Sequence, residues 1–314
     1  MIEGTLRLTN SEMSCWRGCR LNWYLTYYRG LQKRDKIVAG RAVDLGTRVH
    51  NALAEFYTPQ GGMDPREQVY AAVEADAAAY PLQEAVIRKE GKLALTMLEG
   101  YMEWLEETGA DVGFTVLAAE TKLEVPLFDG ANLLSKLDAR IQTELGTRLA
   151  LEHKTVGSLK ASLPHLQSDP QVLTEHLVEF IDLKQKGMDT ERAGGVLYNQ
   201  LRKVGRTAAA KPPFYSREQV LHNIHELRNH FRHCAVIGRE IVAAHDALDE
   251  GADHQKICPP SPSRELLWRS PFYKDGIYGL MDDGSDWEAA LDALYVKVDP
   301  LERYWGTTSY EEEA

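Results

Sequence analysis

The chain has 314 residues, 44% of them apolar and 26% charged, with 47 acidic against 36 basic side chains for a net charge of −11. That balance argues against a surface uniformly coated in basic charge, a common footprint of nucleic-acid binders, although a local basic field remains compatible with it. No stretch approaches the length of a bilayer span and residues 1–10 lack an apolar leader segment. The four cysteines are too few for a disulfide scaffold, so a cytoplasmic setting with reduced thiols is expected.

Thr9, Asn10 or Ser11 can cap a first helix that runs to Gly30 and buries Trp16, Cys19, Trp23 and Tyr27 on one face. A basic stretch with Arg29, Lys33, Arg34, Lys36 and Arg41 leads into a second helix, Arg41 to Tyr57. There Val49, Leu53 and Phe56 form the apolar stripe with His50 next to it, and Arg48 belongs to the same basic group as Arg41. Taken alone, such a histidine is a packed or surface residue. Pro59 and Gly61-Gly62 end the element. Asp64-Pro65 opens a helix to Tyr80, Pro81 breaks it, and another helix spans Gln83 to Thr108. These last two read as scaffold.

From Phe114 to Leu127 the pattern becomes a strand, with Leu117, Ala119, Leu123 and Val125 on one face and Glu120, Lys122 and Glu124 on the other. A hairpin follows, Leu133–Gln142 and Arg148–Thr155, turning near Gly146. Period two puts Lys136, Asp138 and Arg140 on one face of its first strand and Ala150, Glu152 and Lys154 on one face of its second. Pairing can then bring Asp138 beside Glu152 and Lys154. Two carboxylates and a lysine suit a shared divalent ion, and they equally suit a solvated face with a salt bridge. The three strands form a meander whose far face is polar at its middle.

Residues 159–168 read as a loop or a short turn of helix. Asp169-Pro170 opens a helix that buries Leu173, Leu177, Phe180 and Ile181 and leaves Gln171 and Glu175 one turn apart. Ala193–Lys203 is a fourth strand, Arg206–Pro213 a loop, and Ser216–Leu248 a long helix. A second basic group, Arg202, Lys203, Arg206, Lys211 and Arg217, falls here. His222, His225, His230, His233, His245 and His254 enrich the region in histidine, but no acidic or cysteine partner is in phase, so a polar helix face accounts for them. A Pro-rich tail from Cys258 ends in a helix packed by Trp287, Leu291 and Leu294. The expected organisation is a helical region 1–110, a sheet-and-helix core 111–204 and a helical region 205–314, packed as one unit.

GTRVH with His50, LSKLD with Asp138, LEHK with Glu152 and Lys154, and DPQ with Gln171 occur in an order that resembles the PD-(D/E)XK nuclease superfamily. The similarity is to its RecB-like exonuclease branch, with CRISPR-associated exonucleases and phage nucleases. WRGCRLNWYLTYYRGL is similar to that family's opening segment, the resemblance covers residues 11–204, and DPLERY is a fainter match. It implies an α/β, restriction-endonuclease-like core: a central mixed sheet flanked by helices, with helical N- and C-terminal additions. It further implies hydrolysis of DNA phosphodiesters, with His50, Asp138, Glu152 and the carbonyl of His153 holding Mg²⁺ or Mn²⁺. Lys154 would activate water or offset developing charge, and Gln171 and Arg48 would contact substrate.

Two departures stand out. The fourth residue after Gln171 is Glu175, where the family pattern has tyrosine. Many relatives hold a [4Fe–4S] cluster on one N-terminal and three C-terminal cysteines, whereas Cys15, Cys19, Cys234 and Cys258 divide two and two, and inert buried thiols are the other reading. The implied role is an exonuclease of phage or bacterial DNA recombination or repair. It would act on single-stranded DNA or duplex ends, alongside a recombination or helicase partner and without a membrane. A nuclease-fold protein that binds DNA or a partner enzyme without cutting is the alternative.

Overall fold

The computed structural model describes residues 5–34, 44–159, 163–305 and 310–311. The chain divides into two units, one made of residues 1–38, 126–134 and 231–306, the other of residues 39–125, 135–230 and 307–314.

In the first unit, strand β1 (Leu6–Thr9) hands over to helix α1 (Asn10–Gly18), where Thr9 Oγ1 accepts the Glu12 N–H at 3.2 Å. The continuous first helix expected from the sequence is interrupted: Cys19 is extended, α2 (Arg20–Trp23) restarts the coil, and Tyr24–Tyr28 widen it into a π-helical turn. Gly30, at φ +65°, ends it where a Cβ would run into the Val298 carbonyl, so only glycine fits. Strand β2 (Leu31–Lys33) then pairs antiparallel with Tyr295–Lys297. Cys19, Leu21 and Leu25 pack with Phe272, Ile277 and Leu291 to form this unit's core.

The second unit opens with α3 (Leu45–Phe56), whose start is capped by Asp44 Oδ1 accepting the Thr47 N–H at 2.9 Å; the expected beginning at Arg41 lies outside the described residues. Helices α4 (Pro65–Ala79) and α5 (Glu84–Thr108) follow as anticipated. Strands β3 (Phe114–Phe128), β4 (Ala131–Thr143) and β5 (Arg148–Val156) come next, then the short α6 (Leu163–Gln167), α7 (Pro170–Gln185) and β6 (Ala193–Arg202). Tyr215–Val220 is a strand, β7, where the sequence reading placed the start of a long helix; α8 runs only over Ile224–Asp249. The polar run of β7 hides its alternation. Tyr215 and Val220 are buried at its two ends, and Asn223 Oδ1 stops the strand by capping the N–H groups of His225 and Glu226 at 2.9 and 3.1 Å.

The sheet is mixed: β5 and β6 run parallel, while β4–β5 and β6–β7 are antiparallel. Its order is β7-β6-β5-β4-β3, with Tyr310–Glu311 on β3 and the unanticipated β1 parallel to the start of β4. Ala139, Ile141, Leu149 and Leu151 pack on one face against α3, α4 and α5. The other face, expected to be polar at its middle, is covered by α7. Arg140 is buried there with both oxygens of Glu179 at 2.8 Å and Asp182 at 2.7 Å, so its charge is matched rather than solvated.

Removing one partner of such a pair strands the other. Glu179→Ala is expected to destabilise the protein by about 3 kcal/mol, read as a lower midpoint in urea unfolding.

Candidate active site at the parting of two strands

The β4–β5 ladder runs from Gln142↔Arg148 to Ala139↔Leu151, while β5 continues beside β6 as far as Val156↔Arg202. Just past the ladder's end, Asp138 Oδ2 takes the backbone N–H of His153 at 2.8 Å. A side chain thus stands in the line of the ladder, and the carboxylate is fixed to the strand that carries Glu152 and Lys154. His50, from α3, brings Nδ1 to 3.4 Å from the same oxygen.

Helix α7 supplies the rest. Asp169 Oδ1 accepts the Gln171 N–H at 2.8 Å, with Pro170 at the first helical position, so Gln171 lies in the first turn and Glu175 one turn on. The side chain of Gln171 is spent inside the cluster: Oε1 accepts from Lys154 Nζ at 3.0 Å, and Nε2 donates to Glu152 Oε1 and to Glu175 Oε1 at 2.7 Å each. Lys154 also forms an ion pair with Glu152 Oε1. The structure therefore brings together His50, Asp138, Glu152, Lys154 and Gln171, and adds Glu175, which the sequence reading saw only as a departure from a pattern.

Burial and mutual repulsion set the charges. Burial, then the nearby Asp138, push the Glu152 carboxyl up to about 7. Glu175 is raised well above the carboxylate range by burial and then by Glu152. Burial acts against the charge of Asp138 too, but His50 and the His153 N–H hold it well below its ordinary value. Burial opposes the charge on Lys154 and His50, yet the surrounding carboxylates raise both.

His153 turns its ring to the opposite face, where burial pushes it down to about 3. Its Nδ1 accepts from Asn199 Nδ2 at 2.9 Å, and Tyr57 stacks on the ring at 5.1 Å between centroids. Asn199 leads to Arg217 on β7, whose guanidinium serves Asn199 Oδ1, Tyr57, Tyr101, Ala110 O and Asp111 at 2.6–3.2 Å. Arg217, a member of the second basic group in the sequence, is an internal strut. Much of the remaining basic charge is likewise engaged. Arg29 pairs with Glu288, Lys33 with Asp275 and Arg206 with Glu103; Lys36 and Arg41 lie outside the described residues.

Arg48 is not brought to the cluster: its side chain is buried and bonds Asp76 on α4 at 2.8 Å. Glu120, read as one of several polar strand residues, is the one non-glycine among the described residues with positive φ (52°). The local kink buries Ala118 and Ala119 together and gives Glu120 to Lys136 as an ion pair, within electrostatic reach of Asp138 and His50. No signal in the alternation could have shown that kink. The histidine pairs separate: His222 Nδ1 lies 3.3 Å from His176 Nδ1, and His230 Nε2 lies 2.9 Å from Thr174 Oγ1.

Among the described residues no group of three or more His, Cys, Asp or Glu side chains is arranged around an ion position. The ammonium of Lys154 and the amide of Gln171 stand between the carboxyls. The donor set still fits a divalent cation, because Glu152 and Glu175 are buried side by side and one carboxyl oxygen of Glu175 has no hydrogen-bond partner among the described residues. A cluster on the cysteines fits less well. Among the described residues no three cysteines gather around an ion position: Cys15 and Cys258 each feel Cys19, whereas Cys234 feels burial and Arg17.

A mixed sheet covered by helices on both faces, with acids and a lysine gathered where two strands part, defines a nuclease-type α/β fold. The chain belongs to the PD-(D/E)XK nuclease superfamily, whose family model matches residues 7–261. Members are generally nucleases, which act on nucleic acid and typically use divalent metals. No curated protein matches the chain. Among the described residues no helix is long and apolar enough to cross a membrane.

The raised Glu152 carboxyl sets a pH signature. Its folded value of about 7 lies above the ordinary 4.5, so the folded state takes up the proton first as pH falls. In EDTA, lowering the pH from 7 toward 4.5 should therefore stabilise the wild type relative to Glu152→Gln. The check is the difference in Tm between the two proteins across that range.

Proposed function

We propose that the protein is a divalent-cation-dependent deoxyribonuclease, an exonuclease of phage or bacterial DNA recombination or repair. The observation that carries the reading is the convergence of His50, Asp138, Glu152 and Lys154 where β4 and β5 part. The chain order of GTRVH, LSKLD, LEHK and DPQ supports the exonuclease branch.

In this reading His50, Asp138 and Glu152, with the carbonyl of His153, hold Mg²⁺ or Mn²⁺; carboxylate oxygens favour hard cations and the imidazole admits Mn²⁺. A bound ion supplies Lewis acidity at the scissile phosphate and an acidified water. The protein's own side chains do the rest. Asp138, fixed by the His153 N–H and by His50, presents its remaining oxygen without searching rotamers. Lys154, kept cationic by its acidic neighbours and steadied by Gln171 Oε1, offsets the negative charge that grows on the phosphate. Gln171 acts here by positioning Lys154 and Glu152 at least as much as by touching substrate.

End-labelled single- and double-stranded DNA incubated with Mg²⁺, Mn²⁺ or EDTA tests the reading. Cleavage to mononucleotides from an end is expected with either ion and none in EDTA, and Asp138→Ala or Glu152→Ala should abolish it. Lys154→Ala should lower the single-turnover rate by about 100-fold or more. Its Mn²⁺ affinity should stay within about threefold of wild type, because an ammonium is no metal ligand. An unchanged rate with a large loss of DNA affinity would make Lys154 a phosphate anchor and overturn this mechanism.

A further inference from the structure

Glu175 is 1% exposed, and its two carboxyl oxygens have unequal surroundings. Oε1 accepts from Gln171 Nε2 at 2.7 Å, while Oε2 is buried and has no hydrogen-bond partner among the described residues. The other fully buried acid of α7, Glu179, has both oxygens matched by Arg140 at 2.8 Å. A buried carboxyl oxygen without a donor is costly unless a proton or a cation satisfies it.

The direction in which Glu175 faces narrows the choice. The amide nitrogen that serves Glu175 Oε1 gives its other hydrogen to Glu152 Oε1 at 2.7 Å, so one amide spans both carboxyls much as a bridging cation would. Gln171 Oε1 lies on the same amide, and Lys154 Nζ reaches it at 3.0 Å. Two carboxyls on either side of that amide make an oxygen donor pair, the kind that hard divalent cations take.

We propose that Glu175 is an ion-binding residue of this centre: Glu175 Oε2 and Glu152 take a divalent cation between them. The inference rests on the nuclease reading and deepens it by adding a ligand from α7 to those from α3, β4 and β5. A cation held there would offset the charge of Glu152 that Lys154 and Gln171 Nε2 now face.

The experiment is Mn²⁺ binding by the full chain, followed by calorimetry and by loss of the free-Mn²⁺ resonance signal, for wild type, Glu175→Gln, Glu175→Met and Asp138→Asn. Circular dichroism confirms folding, and the Met variant serves if the Gln variant does not fold. Glu175→Gln should weaken Mn²⁺ binding about tenfold or more, or remove one ion from the stoichiometry. Mn²⁺ binding by folded Glu175→Gln or Glu175→Met that matches wild type, while Asp138→Asn loses it, would overturn this inference alone, leaving Oε2 as the protonated oxygen of a buried neutral acid. Absence of Mn²⁺ binding in the wild type at millimolar concentration would overturn both this inference and the nuclease reading.

Discussion

Glu152 and Lys154 project toward α7 because His153, between them, is held on the opposite face of β5. Period two makes this an all-or-none arrangement, since a slip of one residue would put His153 in the acidic cluster and bury the two charges against α3. The register is defended on both sides. Asn199 and Tyr57 grip the His153 ring, and Asp138 grips its backbone N–H. The same residue therefore separates the reactive face from its support and ties the first carboxylate to the strand bearing the second.

That grip extends well beyond the site. Arg217 satisfies Asn199, Tyr57, Tyr101 and Asp111 together, linking β7, α3, α5 and the turn before β3 to the ring of His153. Each of these groups would be costly to bury alone, and as a closed network they make the position of β5 hard to change. Preorganisation of this kind is what electrostatic catalysis requires, because donors and charges that are already in place need not reorganise during the reaction.

Charge is arranged with similar economy. The acidic excess that argued against a basic coat is partly internal: Glu152, Glu175 and Glu179 are buried along one face of α7 or beside it. Many arginines and lysines that looked available to phosphates are engaged with acids. At the site itself Lys154 and Lys136 each pair with a carboxylate, Glu152 and Glu120.

The sequence by itself determined most of the elements and which charged residues share a strand face. Alternation and capping residues located α4, α5, α7 and the hairpin closely, and period two alone puts Glu152 and Lys154 on one face. Tertiary structure decided what local patterns cannot carry. Whether Glu175 meets Glu152 depends on how α7 packs on the sheet, and whether Arg48 or Arg217 faces solvent depends on partners 28 and 106 positions away. Strand β7 went unseen because a run of polar residues between Tyr215 and Val220 hides its alternation, and the kink at Glu120 because a positive φ leaves no trace in hydrophobic alternation. Local periodicity reports which residues share a face. What covers that face is set by contacts distant in the chain, and here the covering helix turns a row of charges into a buried cluster.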